Sequence, residues 1–158
     1  MILPCNTIYL ADYEQHIETC ANWAFQTWGR YNPSYTLDKR IESFRDHCNK
    51  DRIPLTILSF DESERPTGMA SLRPNDGIRP DLTPWLGSVF VEPGSRRRGI
   101  ATDLVLAIHD QARLLGYPAI YLLTYEDTLP DWYARLGWVT MGQDSCHGNP
   151  VTVMELAF

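Results

Sequence analysis

Several common signals are missing from this sequence, and each absence excludes a class of protein. The 158 residues contain no apolar run of the roughly 20 residues that a membrane-spanning helix requires. The first residues, MILPCNTIYLADY, have neither the basic start nor the cleavage site of a signal peptide. No repeat or low-complexity tract interrupts the chain. We therefore expect one domain over residues 1–158, a cytoplasmic location and no membrane partner.

Cysteine is sparse and widely spaced. The four cysteines are Cys5, Cys20, Cys48 and Cys146, and no two of them have the CxxC spacing of a zinc site. A disulfide framework is a feature of small secreted domains rather than of a chain this long. The pattern predicts reduced, mostly buried thiols and no metal site.

Positive charge is also in short supply. Lysine and arginine number 14 against 20 aspartates and glutamates, which leaves a net charge of -6. An acidic chain with no basic surface outside one arginine run is not expected to bind nucleic acid. The acidic balance and the loop RPNDGIRPDLTP (73–84) favour a cationic small molecule or a peptide amine as partner.

The hydrophobic periodicity predicts an α/β protein with a mixed sheet. Strands are expected at 5–10, 54–60, 67–74, 85–92 and 119–125, followed by two closing strands, WVTMGQ and VTVMELAF, around a loop at 144–150. Helices are expected at 13–28, around Leu37 to Cys48, from about Arg98 to Gly116, and through 131–137. The strand, helix and strand between 85 and 125 form a unit whose length implies a right-handed crossover between two parallel strands.

Three arginines, Arg96, Arg97 and Arg98, stand at the start of the clearest helix. A cation at a helix N-terminus is unfavourable by about 0.3–1 kcal/mol. A bound anion would reverse that effect, since helix N–H groups and arginine both bind phosphate and Gly99 would let the backbone approach it. Solvated surface charge is the alternative interpretation. Neither GxxxxGK[ST] nor GxGxxG occurs, which excludes a P-loop and a Rossmann fingerprint.

The segment VFVEPGSRRRGIA (89–101) resembles the central motif of the GNAT N-acetyltransferases. In that motif a strand ending V-x-V-x-P is followed by [RQ]-x-x-G-x-[GA] at the start of a helix, and Arg96, Gly99 and Ala101 occupy its key positions. The segment DWYARLGW (131–138) resembles the second landmark of the family. The resemblance implies a single-domain GNAT-like fold, with a mixed six- to seven-stranded sheet splayed at its centre and about four helices.

The resemblance also implies an activity, the direct transfer of an acetyl group from acetyl-CoA to a primary amine. A non-catalytic or regulatory acyl-CoA-binding module on the same fold is the alternative, and an enzyme for longer acyl-CoA is a third reading. The acceptor stays open among aminoglycosides, polyamines, amino acids and protein N-termini. Because many relatives dimerise, a homodimer is a further expectation.

Family members bind acetyl-CoA in the gap between the central strands, which implies cofactor contacts here. The backbone of Val89, Phe90 and Val91 would pair with the pantetheine arm, and the Val89 N–H would stabilise the oxyanion. The pyrophosphate would lie on the loop formed by Arg96, Arg97, Arg98, Gly99, Ile100, Ala101 and Thr102.

Tyr133 matches the tyrosine that the family often uses as general acid toward the leaving thiolate. A phenol with a pKa of about 10 stays protonated near neutral pH and is therefore a suitable donor. The alternative is an amphipathic ring on a short helix. We expect Trp132 and Leu136 to face the core and Tyr133 to turn aside from it.

The general base is less evident from the sequence. Glu126 and Asp127 are candidates, Glu92 and Asp76 are weaker ones, and a chain of waters would also serve. Many family members carry an asparagine about seven residues before the tyrosine, whereas this chain has Glu126. The loop at 124–130 therefore departs from the family pattern.

The remaining candidates have weaker signals. Adjacent side chains rarely face each other, so a Cys146–His147 dyad is not expected, although His147 could face the acceptor. His16, His47 and His109 fall on helices and are interpreted as surface or satisfied groups. An aromatic cluster could wall the acceptor site or simply pack as core and lid, and it consists of Trp23, Trp28, Tyr31 and Tyr35.

Overall fold

A computed structural model describes residues 7–158. The strands are β1 Thr7–Tyr9, β2 Leu55–Phe60, β3 Pro66–Arg73, β4 Trp85–Val91, β5 Ala119–Thr124, β6 Val139–Cys146 and β7 Asn149–Ala157. The helices are α1 Ile17–Trp28, α2 Leu37–Asp46, α3 Ile100–Leu114 and α4 Leu129–Ala134. The start of the expected first strand and Cys5 lie outside the described residues.

The seven strands form one sheet in the order β1-β2-β3-β4-β5-β7-β6. All neighbours are antiparallel except β4 and β5, which are parallel as the crossover predicts. The mixed sheet and the four helices confirm the predicted fold class.

The sheet is splayed between β4 and β5. These two strands share a single residue pair, Trp85 with Tyr121. Beyond it β4 continues along β3 as far as Val91, while β5 continues along β7 as far as Thr124. The two strands therefore diverge toward their carboxyl ends and leave the facing edge of β4 open, which confirms the predicted splay.

A β-bulge lies on the open part of β4. Met69 pairs with Phe90, but Ser71 pairs with Gly87, so two residues of β4 stand opposite Ala70. Ser88 adopts a φ of 52°, which bends the strand at this point. The bulge therefore redirects the backbone immediately before Val89.

Helices cover both faces of the sheet. Alternation along β2 separates the two layers, because Ile57 packs with α3 and α4 whereas Leu58 packs with α1 and α2. Both side chains are fully buried. No helix within residues 7–158 is long and apolar enough to cross a membrane.

Two predicted boundaries are wrong. The loop expected at 144–150 is a two-residue turn, since β6 ends at Cys146 and β7 begins at Asn149. The two turn residues, His147 and Gly148, have φ values of 49° and 79°. A turn with two positive φ angles matches the twist of a hairpin. Helix α3 begins at Ile100 rather than near Arg98, because Arg97 and Gly99 adopt φ values of 65° and 79°.

Candidate active site

The gap between β4 and β5 opens into a cavity of about 800 Å³. Its wall combines β4, the end of β5, helix α2 with the segment before it, the loop after β3, and the tip of the β6–β7 hairpin. Both proposed catalytic groups, Val89 and Tyr133, line it. Residues that are far apart in the sequence therefore share one concave site.

The open edge of β4 presents backbone groups to the gap. The Glu92 N–H donates to the Thr67 carbonyl of β3 (2.8 Å), so alternation along the strand turns the N–H and C=O groups of Val89 and Val91 away from β3. The Val91 carbonyl indeed accepts a hydrogen bond from Arg96 Nε at 2.9 Å on that side. Phe90 instead pairs with β3, and its ring packs on Trp23. The N–H and C=O groups of Val89 and the N–H group of Val91 can therefore receive an extended ligand along this edge, since the Val91 carbonyl is already bonded to Arg96.

Helix α3 begins with an uncapped N-terminus. No side chain caps it, and the first helical hydrogen bond runs from the Asp103 N–H to the Gly99 carbonyl. The N–H groups of Ile100, Ala101 and Thr102 therefore have no acceptor within the helix. A Cβ on Gly99 would meet no atom within 4 Å, so the approach to these donors is open. The arrangement fits an anion such as a phosphate.

The three arginines of the loop have different surroundings. Arg96 turns back, bonds to Val91 and lies 5.9 Å from the Phe90 ring centre, so it stabilises the loop against β4. Arg98 lines a separate, shallower cleft of about 500 Å³ together with Asp103. Arg97 is exposed at the left-handed turn. The loop itself brings backbone donors and positive charge to one place.

Tyr133 is buried, and the expectation that it turns aside from the core is wrong. Its side chain is 6% exposed, and it makes edge contacts with Trp132 and Trp138 at 4.8 and 5.9 Å between ring centroids. Trp132 and Leu136 are only partly buried. The last turn of α4 packs Tyr133 between the core and the cavity. Burial raises the pKa of the Tyr133 hydroxyl above its usual range, so the phenol stays protonated.

The four carboxylate candidates occupy different environments. Glu126 is exposed at the mouth of the cavity, and Asp127 is exposed beside it but does not line it. Glu92 accepts a hydrogen bond from Trp23 Nε1 at 2.9 Å. Asp76 lines the cavity but forms an ion pair with Arg73 at 3.2 Å. Glu126 alone among the four combines access to the cavity with a carboxylate free of ion pairs among residues 7–158.

The histidines are more buried than the helical positions suggested. His47 is 5% exposed, and its Nδ1 donates to the Ser43 carbonyl at 2.5 Å. Burial and the charge of Arg73 lower the pKa of His47 to about 4, so the ring is neutral. His109 is satisfied, since its Nε2 accepts from Trp138 Nε1 at 3.1 Å. The expectation of a surface or satisfied group is therefore confirmed for His109. It is wrong for His47, which is buried and whose Nε2 has no hydrogen-bond partner within residues 7–158.

The aromatic cluster is divided between core and cavity. Trp23 is buried against Phe90, whereas Trp28, Tyr31 and Tyr35 line the cavity. Tyr31 stacks on Tyr125 at 3.8 Å with an interplanar angle of 5°. This pair links the segment after α1 to the end of β5 and closes one side of the cavity.

The hairpin tip brings Cys146 and His147 to the cavity in different ways. Cys146 is buried and its thiol hydrogen-bonds with the Tyr125 hydroxyl, which together with burial raises the pKa of that phenol. His147 is exposed and lines the cavity. The environment of Cys146 is that of a structural thiol, and it does not support a dyad with His147.

Sequence reasoning missed three arginines that line the cavity, namely the exposed Arg30 and the partly buried Arg40 of α2 and Arg73 at the end of β3. None of them belongs to a motif. Gly87 is the one local signal, because a Cβ there would lie 1.9 Å from Arg73 Nη2. The absence of a side chain at position 87 is what allows the Arg73 guanidinium to cross β4.

Comparison with known proteins identifies the class that this fold and site define. Residues 8–138 match the model of the acetyltransferase (GNAT) family, so the chain belongs to that family. This match confirms the resemblance predicted from the two motifs. A search of the curated proteins finds no match to this sequence.

Solved structures share the fold at low sequence identity. A protein from Acinetobacter baylyi ADP1 assigned to the acetyltransferases has a TM-score of 0.77 at 13% identity, with 96% of this chain and 90% of that chain covered. An aminoglycoside 6'-N-acetyltransferase in complex with coenzyme A has a TM-score of 0.67 at 19% identity, with 89% of each chain covered. A Salmonella typhimurium protein with its cofactor acetyl-CoA has a TM-score of 0.69 at 18% identity, with 96% of this chain and 92% of that chain covered.

Within residues 7–158, no group of three or more histidine, cysteine, aspartate or glutamate side chains is arranged to hold a metal ion.

Proposed function

We propose that this protein is an acetyl-CoA-dependent N-acetyltransferase that transfers the acetyl group directly to a primary amine. One observation carries the proposal, namely that the open edge of β4 at Val89 and the buried hydroxyl of Tyr133 line the same cavity. The acetyl-CoA found with the Salmonella typhimurium neighbour supports the choice of acyl donor.

The chain's own groups fit such a co-substrate in two places. The backbone of Val89 and Val91 would pair with the pantetheine arm, and the Phe90 backbone is already engaged by β3. The pyrophosphate would accept from the N–H groups of Ile100, Ala101 and Thr102. The side chains of Arg97 and Arg98 would add charge, and Arg96 would hold the loop in place through Val91.

Bound acetyl-CoA supplies a thioester, and the chain supplies the groups that move protons. The amine nitrogen forms a bond to the carbonyl carbon while the carbon–sulfur bond breaks. The Val89 N–H donates to the carbonyl oxygen as negative charge develops there. Glu126, directly or through water, accepts the proton that the nitrogen loses, and Tyr133 donates one to the departing sulfur. The raised pKa of Tyr133 keeps the donor proton present across the physiological range.

Calorimetry with acetyl-CoA and a thiol-release assay over a panel of primary amines test this proposal. We expect binding at micromolar acetyl-CoA and amine-dependent release of free CoA. No binding at high micromolar acetyl-CoA would refute the proposal. Binding without thiol release for any amine would instead favour the alternative of a non-catalytic acyl-CoA-binding module.

Two further parts of the proposal concern the setting of the reaction. The described cysteines, Cys20, Cys48 and Cys146, are free thiols, which supports a reducing, cytoplasmic compartment.

The edge strand β6 exposes two apolar side chains. Val139 and Met141 are 67% and 43% exposed there, which supports a homodimer through this edge. Light scattering after size-exclusion chromatography tests the dimer.

A further inference from the structure

Buried polar atoms without partners concentrate around the cavity. Four of them belong to residues that line it and have no hydrogen-bond partner within residues 7–158, namely Arg40 Nε, His47 Nε2, Arg73 Nε and Thr124 Oγ1. Buried polar atoms in folded proteins are almost always paired, so a cluster of exceptions around one cavity indicates a polar ligand. Two of the four are guanidinium donors, which points to an acceptor of hydrogen bonds with negative charge.

Arg73 lies across β4, and its guanidinium has one hydrogen bond through Nη2 and none through Nε within residues 7–158. Its Nη2 donates to Ser88 Oγ at 3.1 Å, and its Nε lies 3.2 Å from Asp76 Oδ1 without hydrogen-bond geometry. Both side chains of this ion pair are 17% exposed. The glycine at position 87 leaves the space that the guanidinium occupies. The position of Arg73 beside the β-bulge is therefore set by contacts on three sides.

Arg40 brings a second cation to the same wall. Its guanidinium carbon lies 4.2 Å from the centre of the Tyr35 ring, and no carboxylate of residues 7–158 lies within ion-pair distance of it. Burial and the nearby charge of Arg73 lower the pKa of Arg40. The two arginines therefore repel each other, and one carboxylate, Asp76, serves both of them while it forms an ion pair with Arg73 alone. A further negative charge between them would relieve the repulsion.

We propose that Arg40 and Arg73 bind an oxyanion group of the acceptor, and that the acceptor is a compact amino carboxylate such as an α-amino acid. The inference rests on the proposed function and names the substrate class of the same site. Arg73 bonds to Ser88, which directly precedes Val89, so the anion lies beside the point of acetyl transfer. The acceptor must place its anion between the two arginines and its amine at Val89. A molecule whose amine and carboxylate are separated by few bonds can do both. Planar bidentate pairing with guanidinium suits a carboxylate.

This inference replaces the cationic acceptor that the overall charge favoured. The net charge of -6 belongs to the whole chain, whereas the cavity is lined by four cationic side chains (Arg30, Lys39, Arg40 and Arg73) and three carboxylates, of which Asp76 is already paired with Arg73. A polyamine would bring further positive charge toward Arg40 and Arg73. Like charges brought together at a partly desolvated site disfavour binding.

The experiment compares matched acceptors that differ only in the anionic group. Free amino acids, their carboxamides and their aminophosphonate analogues are assayed for thiol release, with spermidine as the polycationic reference. We expect the wild-type kcat/KM for the best amino acid to exceed that for its carboxamide by about 100-fold, because charge-assisted hydrogen bonds are lost in the amide. The aminophosphonates distinguish a general oxyanion site from one shaped for carboxylate.

Variants then assign the preference to the two arginines. Arg73→Gln and Arg40→Gln should raise the KM for the amino acid at least about tenfold and reduce the preference over the carboxamide toward unity. Arg73→Lys keeps the charge and should recover part of that preference. Arg45→Gln, on the exposed face of α2 and outside the cavity, is the matched control and should behave as wild type. The KM for acetyl-CoA should stay constant in all of them.

The two proposals fail in different ways. Failure to bind acetyl-CoA would overturn the proposed function. Acetylation of carboxamides or spermidine as efficiently as amino acids would overturn the anionic acceptor and leave the acetyltransferase intact. Binding of acetyl-CoA with neither turnover nor calorimetric binding of any amino acid or aminophosphonate would also overturn the anionic acceptor.

Discussion

At the scale of single residues, the surroundings of Tyr133 determine what its hydroxyl can do. Tyr133 is an ordinary tyrosine in the sequence, and in the structure its ring packs against Trp132 and Trp138 while the residue lines the cavity. Burial raises its pKa, which keeps the proton present and also makes the phenol a weaker acid. In the proposed mechanism its contribution is therefore a proton held in position beside the leaving group.

Replacing Tyr133 tests this role. Tyr133→Phe removes the hydroxyl but keeps the ring, so we expect kcat to fall by about 100-fold while the Kd for acetyl-CoA changes little. Tyr117→Phe is the matched control, because Tyr117 packs against the same core outside the cavity. Steady-state kinetics and calorimetry measure the two quantities. Full activity in Tyr133→Phe would remove the proposed acid.

Gly87 is a second position at which one side chain matters. In Gly87→Ala the new Cβ would lie 1.9 Å from Arg73 Nη2, so the guanidinium must move. We expect the acceptor KM to rise about tenfold, the effect of one lost charge-assisted hydrogen bond, with no change in the KM for acetyl-CoA. Gly94→Ala, whose Cβ would meet no atom within 4 Å, is the control. An unchanged acceptor KM in Gly87→Ala would separate Arg73 from acceptor binding.

At the scale of elements, strand β4 and helix α3 form the proposed cofactor site together. The bulge at Ser88 bends β4, and its divergence from β5 exposes the edge that carries Val89 and Val91. The left-handed turn at Gly99 then begins α3 with open N–H groups. Strand β4 and helix α3 provide backbone N–H and C=O groups to the proposed site. The positions of these groups are therefore set by the bulge at Ser88 and the turn at Gly99.

The two glycines that flank α3 provide a matched test. Gly99 and Gly116 have φ values of 79° and 88°, and a Cβ at either would meet no atom within 4 Å. Gly99→Glu and Gly116→Glu should therefore each destabilise the fold by a similar amount, about 1–2 kcal/mol. Only Gly99→Glu places a carboxylate where the pyrophosphate would bind. We expect its KM for acetyl-CoA to rise at least about tenfold, because a like charge now competes for the helix N-terminus. Equal KM values in the two variants would argue against a pyrophosphate site at α3.

At the scale of the whole molecule, buried histidines connect folding to pH. Burial lowers the pKa of His47 to about 4 from an ordinary value of 6.5. The unfolded chain therefore takes up a proton at this residue as pH falls below 6.5, while the folded chain does not until about pH 4. The folded state is favoured fully above pH 6.5 and loses stability as pH falls through that window.

The variant His47→Gln isolates the contribution of His47 to the pH dependence of the free energy of unfolding. His47→Gln keeps a donor near the Ser43 carbonyl but cannot titrate. Its free energy of unfolding should decline with falling pH less steeply than that of the wild type, by about 1 kcal/mol per pH unit. Urea unfolding at pH 7 and pH 5 measures the difference. The same slope in both proteins would show that His47 titrates normally in the folded chain.

Most elements could be predicted because their patterns are local. The apolar face of α3, the strand before it and the landmark around Tyr133 lie in continuous stretches, and the structure has all three within a few residues of the predictions. The turn at His147 and Gly148 was missed because its positive φ angles have no strong signal in the pair His-Gly. The burial of Tyr133 was missed because a six-residue helix covers too few turns to define a core face.

By itself the sequence determined the class of fold and the family, since both depend on residues that are neighbours along the chain. The proposed cofactor loop at Arg96 to Thr102 is a prediction from the same kind of continuous stretch. Only the tertiary structure decided which charged side chains line the cavity. Arg40 belongs to α2 and Arg73 to β3, and they line one wall because the bulged, splayed β4 leaves room at Gly87 for a guanidinium. A net charge counts every residue equally, whereas a ligand meets only the side chains that the fold brings to its site.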